Sequence, residues 1–152
     1  MAGHEATIAW RSDGAFASGR YSRRHEWRFD GGAVIAASSS PEIVPAPMSD
    51  PAAVDPEEAL VASVASCHML WFLALASPAG FAVESYEDRA QGETGRIGPG
   101  RTALTRITLR PHIVFAGAEP SPEQLARLHR DAHERCFIAN SLKTEVSVEP
   151  NP

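Results

Sequence analysis

An apolar run of 19 residues, from Ala59 to Ser77, in which the polar residues are small ones and His68, constrains this 152-residue chain more than any other feature. A run of this length is typical of a membrane span or of a helix at the centre of a fold. Asp55 can cap its start, Pro56 suits the first helical position, and the two glutamates that follow favour the positive end of the helix dipole. No Lys or Arg lies close to either end, and no second such run exists, which favours a long buried helix over residues 56–77.

Strand patterns lie on both sides of this helix. Short alternating stretches and the turn sequence Asp30-Gly31-Gly32 predict N-terminal β-hairpins over residues 1–37. Residues 38–55 are rich in proline and serine and predict a long ordered loop. Residues 81–152 are predicted to hold further strands and a second helix. Because helices and strands do not alternate regularly, the pattern indicates an α+β fold in a single domain over residues 1–152.

The C-terminal half contains one predicted helix among several strands. Three segments have the composition or alternation of strands: residues 81–90, 102–115 and 144–148. The turn-rich segment Gly92–Arg101 is predicted to join the first two, and Pro111 predicts an edge, a bulge or a break. Ser121–Gln124 has the spacing of a capping box, which predicts the start of the second helix.

Charge and cysteine content limit the classes of function. The formal net charge of −5 argues against a nucleic-acid partner, which requires a basic surface. The N-terminus lacks a basic segment followed by an apolar one, so we expect no secretion and a cytoplasmic location. Structural disulfides are uncommon there, so the two cysteines are expected to be reactive, metal-binding or simply buried.

Cys67 and Cys136 are the residues most able to carry chemistry. Cys67 lies in the middle of the central helix, and Cys136 ends an apolar stripe that includes Leu128 and Ala132. The plain alternative is that both are small buried hydrophobic residues. A redox pair requires that the two sulfur atoms approach within disulfide geometry and that one of them is a stabilised thiolate. The spacing alone leaves both interpretations open.

A thiolate requires a positive partner, and arginine is well suited to this role. Arg20, Arg23 and Arg24 cluster in the first hairpin region, and Arg23 is the preferred candidate. An arginine beside a thiolate lowers its pKa and can orient a peroxide oxygen. The alternative for each is a solvated surface arginine.

Two segments resemble a known family. Asp55–Leu60 followed by Ala65–Cys67, together with Ala132–Lys143, resembles the paired cysteine motifs of the OsmC/Ohr family of organic hydroperoxide reductases. The order of strands and helices matches over nearly the whole chain. The resemblance implies an OsmC-like fold, with antiparallel sheets wrapped around a long buried central helix in a two-fold intertwined dimer.

The same resemblance implies roles for individual residues. Cys67 would be the peroxidatic cysteine, Cys136 the resolving cysteine, and Glu57 the carboxylate that holds the active-site arginine, for which Arg23 fits best. The implied reaction reduces organic hydroperoxides to alcohols through a Cys67 sulfenic acid and a Cys67–Cys136 disulfide. No cofactor or metal is implied, and an external dithiol of the lipoyl type would act as reductant. Phe137 departs from the family, which usually has proline after the second cysteine.

Bulky apolar residues follow Cys67 in the sequence. Met69, Trp71 and Phe72 are predicted to line a substrate pocket that favours organic hydroperoxides over hydrogen peroxide. Core packing is the alternative for each of them.

The position of Glu57 predicts a homodimer. Ten residues of straight helix separate Glu57 from Cys67, a rise of about 15 Å with a change of face. Glu57 would therefore serve the cysteine of a second subunit. The apolar character of the whole central helix favours the same prediction, since one small sheet covers only part of it.

Three alternatives to the peroxidase remain at this point. A zinc site could be formed by four residues, although no CxxC pair is present: His129, His133, Cys136 and Cys67. A Cys–His hydrolase with Cys67 as nucleophile would leave the second cysteine unexplained. The third alternative is a non-catalytic binding protein with the OsmC fold. In none of these cases is a membrane expected as a partner.

Overall fold

A computed structural model describes residues 2–149 of the chain. The chain divides into two compact units, Met1–Ala59 and Leu60–Pro152, with the boundary inside the central helix. The predicted single domain over residues 1–152 stays a prediction.

The first unit is built on a three-stranded antiparallel sheet in the order β1-β2-β3. The strands are β1 (Ala6–Ala9), β2 (His25–Phe29) and β3 (Val34–Ala37). The predicted turn at residues 30–32 joins β2 and β3, and Gly32 adopts a φ of 94°, which a side chain would disfavour. The N-terminal hairpin prediction is confirmed for the last two strands.

The proline-rich loop after β3 is ordered by backbone and side-chain hydrogen bonds. Ser38 donates its amide to the Val54 carbonyl, and Val54 donates to Ala36, which ties both ends of the loop together. The Ser38 hydroxyl accepts from the Asp50 amide at 2.9 Å. These contacts fix the start of the central helix relative to β3 within the first unit.

The central helix α1 spans Pro56–Ala76, in close agreement with the predicted range 56–77. Asp55 accepts from the Glu58 amide at 2.8 Å, and Glu58 accepts from the Asp55 amide at 3.1 Å. This reciprocal pair is a capping box. It satisfies two backbone amides at the start of α1, whereas the cap predicted from Asp55 alone would satisfy one. By length and composition α1 resembles a membrane span, but that test is weak because core helices of soluble proteins also pass it.

Burial along α1 is confined to one stripe of the helix. Four residues at steps of four are buried: Val64, His68, Phe72 and Ala76. The helix was expected to be apolar on all sides and only partly covered by its own sheets, and the face opposite this stripe is exposed in the single chain.

The second unit contains two sheets. The strands are β4 (Val83–Asp88), β5 (Gln91–Gly98), β6 (Arg101–Leu109), β7 (Pro111–Phe115) and β8 (Glu145–Val148). β4 pairs with β7, and β6 lies between β5 and β8. The antiparallel sheets and the central helix of the predicted α+β fold are confirmed, with the additional finding that β6 and β8 run parallel.

The turn predicted over Gly92–Arg101 is wrong, because most of this segment forms β5. Its glycines allow close packing rather than a change of direction. A Cβ atom on Gly92 would lie 2.6 Å from the Val61 side chain, and one on Gly95 would lie 2.9 Å from Thr105. Glycine in a strand often marks such a close approach. The break predicted at Pro111 is confirmed, because β6 ends at Leu109 and β7 begins at Pro111.

Two helices complete the second unit. α2 spans Pro122–Arg135 and starts with the predicted capping box between Ser121 and Gln124. α3 is a short helix over Phe137–Asn140, and Cys136 lies between the two. One core cluster joins Phe72 and Ala76 of α1 to Leu128 and Ala132 of α2.

Candidate functional site

Cys67 and Cys136 meet in the second unit. Cys67 projects from the middle of α1 and is partly buried, whereas Cys136 is 1% exposed. The two thiols are close enough for Cys67 to affect the pKa of Cys136. The packing of α2 on α1 therefore produces the contact that the spacing of the cysteines could not establish.

The surroundings of Cys136 favour its neutral thiol. Burial raises its pKa, and the interaction with Cys67 raises it further, whereas the amide of Ala139 lowers it. That amide donates to the Cys136 sulfur at 3.4 Å. Because the buried sulfur is held as a thiol, the more exposed Cys67 is the better placed of the two to meet an incoming reagent.

The segment around Cys136 is held by local hydrogen bonds. The Cys136 amide donates to the His133 carbonyl at 3.2 Å and thereby closes α2. The Asn140 side chain donates to the Glu134 carbonyl at 3.0 Å, which ties α3 back to the end of α2. Cys136 is thus both the C-cap of α2 and the N-cap of α3.

Trp71 lies one helical turn after Cys67 and forms an aromatic contact with the Cys136 segment. Its ring meets Phe137 edge to face, with 5.7 Å between ring centroids. The Arg135 guanidinium lies 5.8 Å from the Trp71 centroid. Phe137, the departure from the usual proline, is 70% exposed and covers the indole. This contact links α1, which carries Cys67, to α3, whose N-cap is Cys136.

The other predicted substrate-binding residues differ in position. Phe72 is fully buried and packs against Tyr86 and His129, with 5.6 and 4.6 Å between ring centroids. This is the core packing that was the alternative for Phe72, and it corrects the prediction that this residue lines a pocket. Met69 lies two positions from Cys67, about 200° around the helix, so the two side chains leave on different faces.

Glu57 and the hairpin arginines lie in the first unit. Glu57 is partly buried in the first turn of α1. The Arg23 guanidinium lies 3.6 Å from the Tyr21 ring centroid and donates to the Tyr21 and Gly19 carbonyls. Arg24 forms a salt bridge with Asp50. The catalytic roles of Glu57 and Arg23 stay predictions.

Two buried histidines were not among the predicted catalytic or substrate-binding residues, although His129 was a candidate zinc ligand. His68 follows Cys67 on α1, and its Nε2 lies 3.0 Å from Nδ1 of His129 on α2. Desolvation lowers the pKa of each imidazole to about 4, and the nearby His129 and His133 add to the effect on His68. Both rings are therefore neutral near pH 7. The spacing of four between Val64, His68 and Phe72 was the available sign that His68 faces the core.

No metal centre is formed by the described residues. Within residues 2–149, no three His, Cys, Asp or Glu side chains are arranged to hold a metal ion. The zinc alternative built on His129, His133, Cys136 and Cys67 is therefore not supported by the geometry. One ring nitrogen of His129, Nδ1, instead forms a hydrogen bond with His68.

Comparison with known proteins places the chain in a family. A family model described as OsmC-like protein matches residues 49–151, more than half of the chain. The chain belongs to the OsmC-like family. An OsmC-like protein of unknown function from Vibrio cholerae has 49% sequence identity and a TM-score of 0.96, with 99% of this chain and 100% of that chain covered.

More distant OsmC-like structures share the fold. An organic hydroperoxide resistance protein from Legionella pneumophila is 16% identical with a TM-score of 0.71, covering 99% of this chain and 96% of its own. One from Elizabethkingia anophelis is also 16% identical, with a TM-score of 0.72 and coverages of 99% and 98%. No curated protein matches the sequence significantly. The predicted family and fold are thus confirmed.

Proposed function

We propose that this OsmC-like protein is a thiol-dependent peroxidase that reduces organic hydroperoxides in the cytoplasm. The observation that supports the proposal is the contact between the Cys67 and Cys136 thiols, which come from distant parts of the chain. The fold shared with proteins named for organic hydroperoxide resistance is consistent with it. The chemistry requires two sulfur atoms and no metal or bound cofactor.

The reaction begins at the more accessible sulfur. The Cys67 thiolate attacks the distal oxygen of the hydroperoxide, the O–O bond breaks, and the alkoxide leaves as an alcohol after taking a proton. Cys67 is oxidised to a sulfenic acid. The adjacent Cys136 thiol then attacks the Cys67 sulfur, water leaves, and a disulfide forms. An external dithiol of the lipoyl type reopens this disulfide by exchange and is itself oxidised to a disulfide.

Three further residues are assigned roles in this proposal. Arg23 would stabilise the Cys67 thiolate and orient the peroxide, and Glu57 would hold that arginine. Trp71, one turn from Cys67, would contact the organic part of the substrate. Its exposed neighbour Phe137 would extend the same apolar surface.

A second copy of the chain is the proposed partner of α1. The helix face opposite the buried stripe is exposed and almost free of polar groups; it consists of Ala62, Ser66, Leu70 and Ala74. Leu70, which is 60% exposed, adds a large side chain to this contiguous apolar face, and such faces mark interaction sites. Its small neighbours allow the close approach of another helix. A two-fold dimer would cover this face, and it would also let Glu57 act on the partner's site.

Counting free thiols tests the reaction. One equivalent of cumene hydroperoxide should remove two thiols per chain in the parent protein and none in Cys67→Ser. In Cys136→Ser it should remove one thiol and leave a sulfenic acid that dimedone traps. Full peroxidase activity in Cys67→Ser would contradict the proposal. Unchanged thiols in the parent protein would instead favour a non-catalytic binding protein.

A further inference from the structure

A cavity in the second unit lies on the face of α2 that meets β8. Its volume is about 310 Å³, at the lower end of the range for small-molecule sites. Six residues line it: Ala126, His129, Arg130, His133, Val146 and Val148. Neither cysteine is among them.

The lining divides into a basic side and an apolar side. His129, Arg130 and His133 lie within two turns of α2, whereas Val146 and Val148 alternate onto one face of β8. No carboxylate belongs to the described lining. The acidic residues that flank these valines are paired elsewhere, Glu145 with Arg106 at 3.9 Å and Glu149 with Arg110 at 3.4 Å. The cavity thus combines basic and apolar groups without a competing negative charge.

A buried polar atom in this wall lacks a partner. His129 is 5% exposed, and its Nε2 makes no hydrogen bond with any residue between 2 and 149. Its other ring nitrogen, Nδ1, faces His68. A buried polar group without a partner is unfavourable, so a ligand atom that reaches Nε2 as the cavity adjusts to it would remove that cost. Arg130, which forms no salt bridge with another described residue, supplies a charge to the same lining.

We propose that this cavity binds a small monocarboxylate with an apolar tail. The carboxylate would accept hydrogen bonds from Arg130 and from Nε2 of His129, with His133 at its edge, and the tail would lie against the two valines and Ala126. An inorganic anion would leave the apolar wall without a partner. A neutral apolar molecule would leave Arg130 and His129 unsatisfied.

Binding of a carboxylate would also select one arrangement of protons in the histidine pair. An acceptor at Nε2 requires that His129 carries its single proton there, which leaves Nδ1 as an acceptor. His68 must then donate from its Nε2, and its Nδ1 becomes unprotonated. Because His68 directly follows Cys67, occupation of the cavity would alter the hydrogen-bonding state of the residue next to the thiol.

Sodium hexanoate is the probe, with hexan-1-ol as the uncharged molecule of the same chain length. Amide NMR shifts should respond saturably to hexanoate at residues 126–133 and 146–148 and much less to hexan-1-ol. Long-range ¹H–¹⁵N spectra should show the proton of His129 on Nε2 when hexanoate is bound. The absence of saturable shifts up to about 10 mM, a weak but measurable affinity range, would overturn the proposal. Equal responses to hexanoate and hexan-1-ol would also overturn it.

Two substitutions on the exposed side of α2 provide matched variants. Arg130→Gln should weaken hexanoate binding roughly five- to tenfold, as expected for the loss of one charge-assisted hydrogen bond. Arg127→Gln removes the same charge from an exposed residue outside the cavity and should leave the affinity within about twofold, the expectation for a screened surface charge. Equal weakening by both variants would show a general charge effect and reject the site. These measurements use binding alone, so they do not depend on the peroxidase proposal.

Discussion

The contact between Phe137 and Trp71 predicts how firmly the Cys136 segment is held. Phe137→Ala removes an edge-to-face pair whose centroids are 5.7 Å apart. Such pairs contribute about 0.5–1.5 kcal/mol beyond simple burial. Because Cys136 is 1% exposed, a reagent reaches it only when the segment opens. The substitution should therefore raise the opening equilibrium about two- to twelvefold, from the relation of about 1.4 kcal/mol to a factor of ten.

The assay is the rate at which Cys136 reacts with an excess of an aromatic disulfide reagent under native conditions. A Cys67→Ser background leaves one thiol per chain and keeps a hydrogen-bonding group beside Cys136. When the segment closes faster than it is labelled, the rate is proportional to the opening equilibrium. Phe137→Ala should then be labelled about two- to twelvefold faster, in proportion to the lost contact energy.

Two controls separate the contact from a general loss of stability. Ile97→Ala trims another exposed hydrophobic residue of the second unit and should not change the labelling rate. Trp71→Leu combined with Phe137→Ala should have less than the sum of the two single effects, because both remove the same contact. An unchanged rate in Phe137→Ala, or additive effects in the double variant, would refute the reasoning.

Two further predictions concern stability. Asp55→Ala removes half of the α1 capping box and should lower the free energy of unfolding in urea by about 1 kcal/mol. The His68–His129 pair should make stability fall as the pH decreases from about 6.5 towards 4. The unfolded imidazoles take up protons near pH 6.5, whereas the pKa of each folded ring is about 4. Between these two values only the unfolded state gains protons, so the free energy of unfolding falls as the pH decreases.

Each stability prediction has its own check. Asp30→Ala, a change in the β2–β3 turn away from α1, measures the effect of removing a carboxylate elsewhere in the first unit. An Asp55→Ala protein as stable as the parent would contradict the capping role. For the histidines, the slope is at most about 1.4 kcal/mol per pH unit for each ring. A urea midpoint that stays constant between pH 7 and pH 5 would contradict the burial of neutral imidazoles.

Local sequence patterns determined the bounds of the main helices and indicated the family. The apolar run with Asp55 before it determined α1 to within one residue, because capping and side-chain periodicity act over a few neighbouring positions. The Ser121–Gln124 box did the same for α2. The cysteine motifs indicated the family, since they are short segments of fixed spacing.

The turn predicted within β5 failed for a reason that is not local. Gly92 and Gly95 have the composition of a turn, but their role depends on Val61, Leu104 and Thr105, which approach from other elements. Sequence periodicity shows which face of an element is apolar and does not show which element covers it. The same limit explains why Phe72 was predicted in a pocket and lies in the core.

The chemistry of the site was decided by tertiary structure. The sequence supplied Cys67, Cys136, His68 and His129, and it determined that each lies on or at the end of a helix. Only the packing of α2 against α1 brought the thiols into contact and joined the two imidazoles. Burial then set their protonation, because the cost of a charge depends on the solvent that the whole fold excludes.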